Sequence, residues 1–181
     1  MADDEVVEVA ALHLAVCRRF GRAVQSAHGR WDRRSPCEEW DARGVLEHVI
    51  GFHDVLVLRP LDLKPDRPRD DPQARWQLTY EALTVAVESG RAAQRDEYRS
   101  MPNLTRDVLV HTWDLARAVG ADDRLDQAWC RRLYDGLPAD PRALSLSGMF
   151  SVPVAVSDES DAQTKLLARL GRDPSWRSET S

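Results

Sequence analysis

The chain has 181 residues, and its hydrophobic fraction of 43% is ordinary for a globular protein with one hydrophobic core. Its formal net charge of −5 argues against a general binder of nucleic acids or anionic membranes, because both functions need a dominant positive field. No stretch approaches the roughly 18 uninterrupted apolar residues of a membrane-spanning helix, and the acidic start of the chain is unlike a signal peptide. We therefore expect a cytoplasmic protein.

Apolar residues recur at three- and four-residue steps from about residue 4 to residue 27, which predicts a first helix with one buried face. His13 belongs to that stripe, so we expect it to face the core. The sequence Ser-Pro-Cys-Glu at 35–38 combines a serine cap, a proline at the first helical position and a glutamate placed to close a capping box. It predicts a tight turn, and the flanking Trp31 and Trp40 are typical of side chains that hold a loop onto a core.

A second helix is predicted from about Asp41 to Leu58, with His48 at the edge of its buried face. That face is expected to contain Val45, Val49, Phe52 and Leu56. The following charged segment, which runs from Pro60 through Pro65 and Pro68 to Pro72, is predicted to be a linker loop. It ends where Asp71 caps a third helix that has Pro72 at its first position. The third helix is expected to bury Trp76, Tyr80, Leu83 and Val87.

A fourth helix, the most apolar one, is predicted over about Asn103 to Val119, and Gly120 ends it. A fifth follows over about residues 125–134, and residues 149–154 are predicted to be extended. Ser160, with Gln163 three residues later, is expected to cap a last helix that ends at Gly171. The three cysteines, Cys17, Cys37 and Cys130, form no CxxC pair and are expected to be reduced packing residues.

Asp107 and His111 are four residues apart on the fourth helix, so they point the same way about 40° apart, and Asp114 continues this polar strip. A half-buried carboxylate or imidazole without a partner costs on the order of 1 to 3 kcal/mol, so each needs one. A metal ion is one such partner, because imidazole nitrogen and carboxylate oxygen suit zinc and neighbouring metals. His48 on the second helix is the best candidate for a third ligand.

Other interpretations remain open from residue types alone. The Asp107 and His111 spacing is also typical of a surface pair or a buried hydrogen bond, and His48 could be a core histidine satisfied by hydrogen bonds. Asp114 is expected to be structural and paired with Arg117 or Arg106. His53 lies about 140° from His48 around the second helix, so it is expected at the surface or against a loop.

Three ordered motifs resemble a known family. The sequence SPCEEWD at 35–41, followed by LEHV at 46–49, resembles the PCxxW and histidine signature of the DinB/YfiT-like superfamily, in its mycothiol-dependent maleylpyruvate isomerase N-terminal branch. The sequence VLVHTWDLARA at 108–118 resembles the VHxWDLARA segment of that branch. The ending GRDPSW at 171–176 is similar to its closing GRDPxW motif.

The resemblance implies an all-α fold, an up-down-down-up four-helix bundle with additional short C-terminal helices and an extended segment. It implies a divalent metal, usually zinc, bound by His48, Asp107 and His111. Related sequences carry glutamate where this chain has Asp107, which is one methylene shorter, so Asp107 is the ligand most expected to be displaced or water-bridged. The stretch between the third helix and Asn103 is short, where relatives often carry a hairpin-like insertion.

By the same resemblance, the expected function is activation of a low-molecular-weight thiol, mycothiol, for S-transfer or thiol-assisted isomerisation. The expected partners are this thiol and an electrophilic substrate, with no nucleic acid or membrane, and a homodimer is left open. The alternative is a non-catalytic binding or stress-response module with a structural or vestigial metal site. We expect one domain over 1–181, with the bundle at about 4–120 and an extension at about 121–176. We also expect the additional C-terminal domain of the isomerase to be absent.

Overall fold

The computed structural model describes residues 3–90, 101–146, 148 and 150–178 of the chain. Within these ranges the regular elements are all helices and there is no strand, which confirms the predicted all-α fold class. The elements are α1 (Asp3–Ser26), α2 (Ala42–His53), a π-helical turn (Asp54–Leu58), α3 (Pro72–Glu88), α4 (Met101–Val119), α5 (Gln127–Asp135), α6 (Ala143–Leu146) and α7 (Ala162–Arg169). In the described part of the chain, no helix is both long and apolar enough to cross a membrane.

Aspartate side chains cap the start of four helices. In each case the carboxylate accepts a hydrogen bond from a backbone N–H of the first turn that would otherwise have no partner within the helix. The caps are Asp41, Asp71, Asp126 and Asp161. The start of α3 at Asp71 and Pro72 is confirmed, and Gly120, with a φ of +64°, ends α4 as predicted.

The segment before α2 forms the predicted turn but does not begin a helix. The Ser35 hydroxyl accepts a hydrogen bond from the Cys37 N–H at 3.1 Å and donates one to the Trp40 carbonyl at 2.6 Å. These bonds close the turn on itself, and the chain becomes helical only after Asp41, whose carboxylate accepts from Gly44 N–H at 2.7 Å.

The predicted cap of the last helix is wrong by one residue. Asp161 rather than Ser160 caps α7, where its negative charge also favours the positive end of the helix dipole. Gln163 closes no capping box. Its side chain accepts a hydrogen bond from the Leu125 N–H at 2.7 Å and so ties α7 to the segment before α5.

Helices α1 to α4 enclose the main core. Nearly all of α4 is buried, because it packs against both α1 and α2, and α3 contacts the same two helices. The fully buried side chains between them include Phe20, Leu46, Leu83 and Leu109. On α3, Trp76 is buried as predicted, while Tyr80 and Val87 are half-buried. Helices α5 and α7 pack against each other, and the up-down-down-up order of the bundle stays a prediction.

The buried face of α2 is rotated from the predicted one. Phe52 is exposed and Leu56 is half-buried, whereas Leu46 and His53 are fully buried. Phe52 borders an open cleft rather than the core, so an apolar residue at this position does not mark the buried face. The helix also widens into a π-helical turn at Asp54, which shifts the register of the residues that follow.

A buried ion pair holds the predicted proline-rich loop in place. The Arg67 guanidinium donates to both carboxylate oxygens of Asp54 at 2.7 and 2.9 Å, and its Nε donates to the Thr79 hydroxyl at 2.8 Å. The loop is thereby fastened to the π-helical turn and to α3.

The chain after α5 returns over the bundle to the neighbourhood of α2 and α4. Residues 151–156 have no regular secondary structure, and the extended conformation predicted over 149–154 stays a prediction; residue 149 lies outside the described residues. The turn at Gly171, with a φ of +76°, lies directly against this segment, since a Cβ there would be 2.6 Å from the Ser151 carbonyl oxygen. The stretch that was compared with a family insertion falls largely on residues 91–100, outside the described residues.

Candidate metal centre

The three predicted metal ligands lie together where α2 packs on α4. Nε2 of His48 is 3.2 Å from Oδ2 of Asp107, and Nε2 of His111 is 3.5 Å from Oδ1 of the same carboxylate. One donor atom from each of the three residues lies within 4.8 Å of the other two. Asp107 and His111 are buried, while His48 is half-buried at the edge of the group.

Aromatic contacts orient the His48 ring. The Trp40 indole stacks on it with ring centroids 4.3 Å apart and an interplanar angle of 24°, and Phe52 contacts it at 4.9 Å. Gly44 allows this arrangement, because a Cβ there would lie 2.8 Å from the Cβ of Trp40. The turn at 35–41 therefore positions an aromatic wall against the histidine on the next helix.

A chain of buried polar contacts fixes the His111 ring. Its Nδ1 donates to Oδ2 of Asp114 at 2.9 Å, which leaves Nε2 facing Asp107. Asp114 in turn accepts three hydrogen bonds of 2.9 to 3.1 Å from the Arg172 guanidinium, and its own side chain is fully buried. Metal-binding histidines are typically oriented in this way, with the second ring nitrogen donating to a carboxylate.

The predicted partners of Asp114 are wrong. Arg117 forms an ion pair with Asp123 and contacts backbone carbonyls near the end of the described chain, and Arg106 donates to the Asn103 side chain. Both arginines are on the same helix as Asp114 but neither projects toward its buried carboxylate. The charge is balanced instead by Arg172 from a segment distant in sequence.

The electrostatics of the site couple Asp107 to His111. Burial alone would raise the pKa of Asp107, but the charge and hydrogen bond of His111 outweigh it and hold that pKa well below its usual range. Burial alone would lower the pKa of His111, but Asp107 and Asp114 raise it to about 9. Without a metal, His111 is therefore protonated at neutral pH, and an ion that binds its Nε2 must displace that proton.

The donor set fits a divalent cation. Two ligands of one tetrahedral zinc ion, with bonds of about 2.0 to 2.1 Å to nitrogen and oxygen, are separated by about 3.3 Å. The two carboxylate–imidazole distances, 3.2 and 3.5 Å, are close to that value. Asp107 therefore reaches both histidines directly despite its short side chain.

The site opens on a cleft of about 1090 Å³. His48, Asp107 and His111 line this cleft together with Arg106 and with residues of the segments around Phe150 and 171–176. The cleft has the size of typical small-molecule sites. A ligand in this cleft would therefore lie directly against the three donor atoms.

A second group of ligand-type side chains lies inside the bundle. His13, Cys17 and His53 are fully buried, and one donor atom from each lies within 4.8 Å of the others. His13 faces the core as predicted, but the expectation that His53 lies at the surface or against a loop is wrong. The angle of 140° from His48 turns His53 into the core, because the His48 side of α2 is the one that faces the cleft.

Burial sets the protonation of this second group. It lowers the pKa of His13 well below its usual range, with a smaller contribution from His53, and it lowers the pKa of His53 to about 4. It raises the pKa of the Cys17 thiol. At neutral pH the two imidazoles and the thiol are therefore all uncharged.

Two residues that position the site were not assigned roles from the sequence alone. The sequence placed Arg172 only within the GRDPSW ending, and Trp40 only beside a turn and within the SPCEEWD motif. These two motifs were the available signal, because both lie outside the ligand helices and still contact them. His13 and Cys17 also carried a signal, a four-residue spacing on one helix.

Comparison with known proteins assigns the chain to a family. A family model described as the mycothiol maleylpyruvate isomerase N-terminal domain matches residues 13–142. Two curated relatives, each named only as an uncharacterized protein and found in two strains of Mycobacterium tuberculosis, are 30% identical over 104 residues. These alignments cover 51% of this chain, and the chain spans 56% of the length of each relative. No solved structure matches the chain significantly. Because the family model covers well over half of its residues, the chain belongs to the mycothiol maleylpyruvate isomerase N-terminal domain family.

Proposed function

We propose that His48, Asp107 and His111 bind one divalent cation, with zinc as the leading candidate, and that the protein activates a low-molecular-weight thiol there. Mycothiol is the proposed thiol because the family description names it. The proposed reaction class is S-transfer to an electrophile or a thiol-assisted isomerisation. The observation that carries the proposal is the convergence of three donor atoms on the wall of an open cleft.

The number of ligands supports a catalytic rather than a purely structural ion. Structural zinc sites have four protein ligands, whereas catalytic sites have three and leave a position for a small molecule. A bound divalent ion lowers the pKa of a thiol that ligates it and holds the thiolate ready for attack. Cys37, the cysteine that borders the cleft, is not needed as a nucleophile in this chemistry.

The chain's own residues prepare the site for such a thiol. Asp114 and Arg172 hold the His111 ring in one tautomer, so its Nε2 stays directed at the site. Trp40 packs flat on His48 and restricts that ring's rotation. These contacts fix the ligands before the thiol arrives, which lowers the entropic cost of reaching the reactive geometry.

The cleft also offers a group for an anionic electrophile. Arg106 lines the cleft together with Asp107. The positive charge of its guanidinium would attract a carboxylate on the electrophile toward this side of the cleft.

Metal analysis of the purified full chain tests the metal part of the proposal. The protein should bind a divalent ion at this site, and His111→Ala should bind one equivalent less. His28→Asn is a matched control, because His28 is exposed and in a left-handed conformation that asparagine tolerates, so its metal content should equal that of the wild type. Unaltered metal content in His111→Ala would refute the site.

A thiol titration of the cobalt-substituted protein tests the activation step. Mycothiol, and N-acetylcysteine as a simple thiol, should change the cobalt spectrum of the wild type and leave that of His111→Ala unchanged.

The second candidate function, a non-catalytic module with a structural ion, is favoured by the aspartate at position 107 where related sequences carry glutamate. A metal-loaded wild type whose spectrum does not respond to thiol would support that second function.

A further inference from the structure

The buried group formed by His13, Cys17 and His53 is separate from the candidate metal centre. His13 and Cys17 are one turn apart on α1, and His53 is the last residue of α2. Nε2 of His13 is 3.2 Å from Nε2 of His53, and Sγ of Cys17 lies 3.5 Å and 3.7 Å from these two nitrogens. None of the three residues lines the cleft.

The hydrogen bonds around the group determine which nitrogens carry hydrogen. Nδ1 of His53 is 2.7 Å from the Val49 carbonyl, which can only accept, so this nitrogen carries the hydrogen. The Thr105 hydroxyl donates its one hydrogen to the Met101 carbonyl at 2.7 Å, so it accepts from Nδ1 of His13 at 3.0 Å. In a neutral imidazole the other nitrogen is then an acceptor. Both Nε2 atoms therefore point lone pairs toward each other.

The single thiol hydrogen of Cys17 cannot satisfy both nitrogen acceptors. The Cys17 thiol can donate to only one of the two nitrogens, and the nitrogens have no hydrogen to share between themselves. A buried acceptor without a donor costs on the order of 1 to 3 kcal/mol. The three residues thus direct lone pairs toward one point, and one nitrogen lone pair there has no hydrogen-bond donor.

The spacing of the three atoms matches a coordination sphere. Tetrahedral zinc, with bonds of about 2.0 to 2.1 Å to imidazole and about 2.3 Å to thiolate, separates two nitrogens by about 3.3 Å and nitrogen from sulfur by about 3.6 Å. The observed 3.2, 3.5 and 3.7 Å differ from these values by about 0.1 Å. The hydrogen bonds of both Nδ1 atoms supply the outer contacts that ligating histidines typically make.

We infer that His13, Cys17 and His53 form a second metal site, which binds a thiophilic d10 cation, zinc(II) or copper(I), inside the bundle. Binding releases the Cys17 thiol proton to solvent as the metal–thiolate bond forms. This ion would have three protein ligands, like the candidate metal centre, but all three residues are fully buried and none lines the cleft, so no substrate reaches it. Its role is therefore structural: it links α1 to α2, with Thr105 of α4 as an outer contact. The inference does not depend on the thiol chemistry proposed for the cleft.

Cobalt substitution of the full chain, refolded with cobalt(II) and examined without added thiol, tests the inference. The wild type should bind two equivalents and show a thiolate-to-cobalt charge-transfer band. Cys17→Ser should lose the band and one equivalent, whereas the control Cys130→Ser, at another buried free cysteine, should keep both. His111→Ala should lose one equivalent but keep the band, which separates this site from the candidate metal centre.

X-ray absorption at the zinc edge provides a test that requires no change in the buried group. In zinc-loaded His111→Ala, the remaining ion should show a sulfur neighbour at about 2.3 Å. Parallel refolding with copper(I) under anaerobic conditions identifies which of the two cations binds more tightly. If neither cobalt(II), zinc(II) nor copper(I) gains a sulfur ligand, the inference is overturned and the group is a hydrogen-bonded part of the core.

Discussion

The ion pair between Arg172 and Asp114 makes a specific prediction about stability. Three hydrogen bonds of 2.9 to 3.1 Å join the two side chains, which are only 6% and 0% exposed. Arg172→Gln removes the charge and leaves the Asp114 carboxylate buried, with His111 as its remaining partner. Removing one member of a buried pair costs about 3 to 5 kcal/mol, so we expect the free energy of unfolding to fall by that amount.

Urea denaturation of the metal-free protein measures this loss. The matched control is Arg177→Gln, because Arg177 is an exposed arginine of the same segment and bonds only to nearby carbonyls. A surface change of this kind is expected within about 0.5 kcal/mol of the wild type. Arg172→Gln should also weaken zinc binding at the candidate metal centre by about 10- to 100-fold, since the support of His111 is disturbed.

The pH dependence of the stability of the wild type and of Arg172→Gln tests whether the buried, ionised Asp114 carboxylate causes this loss. Burial alone would raise the pKa of Asp114, but Arg172 and His111 lower it in the folded protein. A carboxylate whose pKa is lowered by folding stabilises the protein above its unfolded value of about 3.9, and this stabilisation is lost as the pH falls through the folded value. The stability difference between wild type and Arg172→Gln should therefore shrink below about pH 4. A difference from Arg177→Gln of less than about 1 kcal/mol at pH 7 would refute the reasoning.

Three further predictions follow from the site and the fold. The apparent affinity of the candidate metal centre for zinc should rise roughly tenfold per pH unit between pH 7 and 9, and competition with a chelator at each pH measures this. The reason is that the pKa of His111 is raised to about 9, so zinc must displace a proton from this ring in that range. Gly171→Ala should destabilise the protein in urea denaturation by about 1 to 3 kcal/mol more than Gly148→Ala. Both glycines have positive φ, but only at Gly171 would a Cβ collide with neighbouring backbone. Arg67→Met should cost about 3 to 5 kcal/mol in the same assay, because it leaves the Asp54 carboxylate buried and unpaired.

Each of these predictions has an opposing result. A zinc affinity that stays constant from pH 7 to 9 would show that no proton leaves His111 on binding. Equal losses in the two alanine variants would mean that the turn at Gly171 moves away from Ser151 without cost. Full stability of Arg67→Met would mean that the proline-rich loop contributes nothing to the folded state.

The helices themselves were predictable because their signals are local. The stripe in α1, the Asp71 and Pro72 start of α3 and the Gly120 end of α4 each depend on residues within one or two turns. Helix α6 was not predicted, since its four residues are too short to show a periodic pattern. The Ser160 cap failed because the adjacent Asp161 offers an alternative acceptor, and only the turn geometry selects between them.

The face of α2 was harder to predict, because an apolar residue can border a cleft as well as a core. Phe52 was expected inside, and His53 was expected at the surface or against a loop because it lies about 140° from His48 around the helix. The structure reverses the two, since Phe52 packs on the His48 ring at the cleft and His53 faces α1. Periodicity gives the angle between residues but not which of two partly apolar sides is enclosed.

The three ligands could be predicted from spacing and family resemblance, but the residues that hold them in position could not. The spacing on α4 predicts that Asp107 and His111 share a side, and the structure brings His48 to the same point. Arg172 and Asp114 are 58 residues apart, and no local pattern predicts such a pairing. Two arginines lie on the same helix as Asp114, so proximity along the chain pointed to the wrong partner.

The long separation between Asp114 and Arg172 has a consequence for synthesis on the ribosome. At roughly 5 to 20 residues per second, the 58 residues from position 115 through Arg172 take about 3 to 12 s to be made. During that interval the Asp114 carboxylate of the nascent α4 has no guanidinium partner, and burying it without one would be unfavourable. This side of α4 is therefore expected to stay in contact with water during synthesis. The bundle is expected to close over Asp114 only after Arg172 has been made.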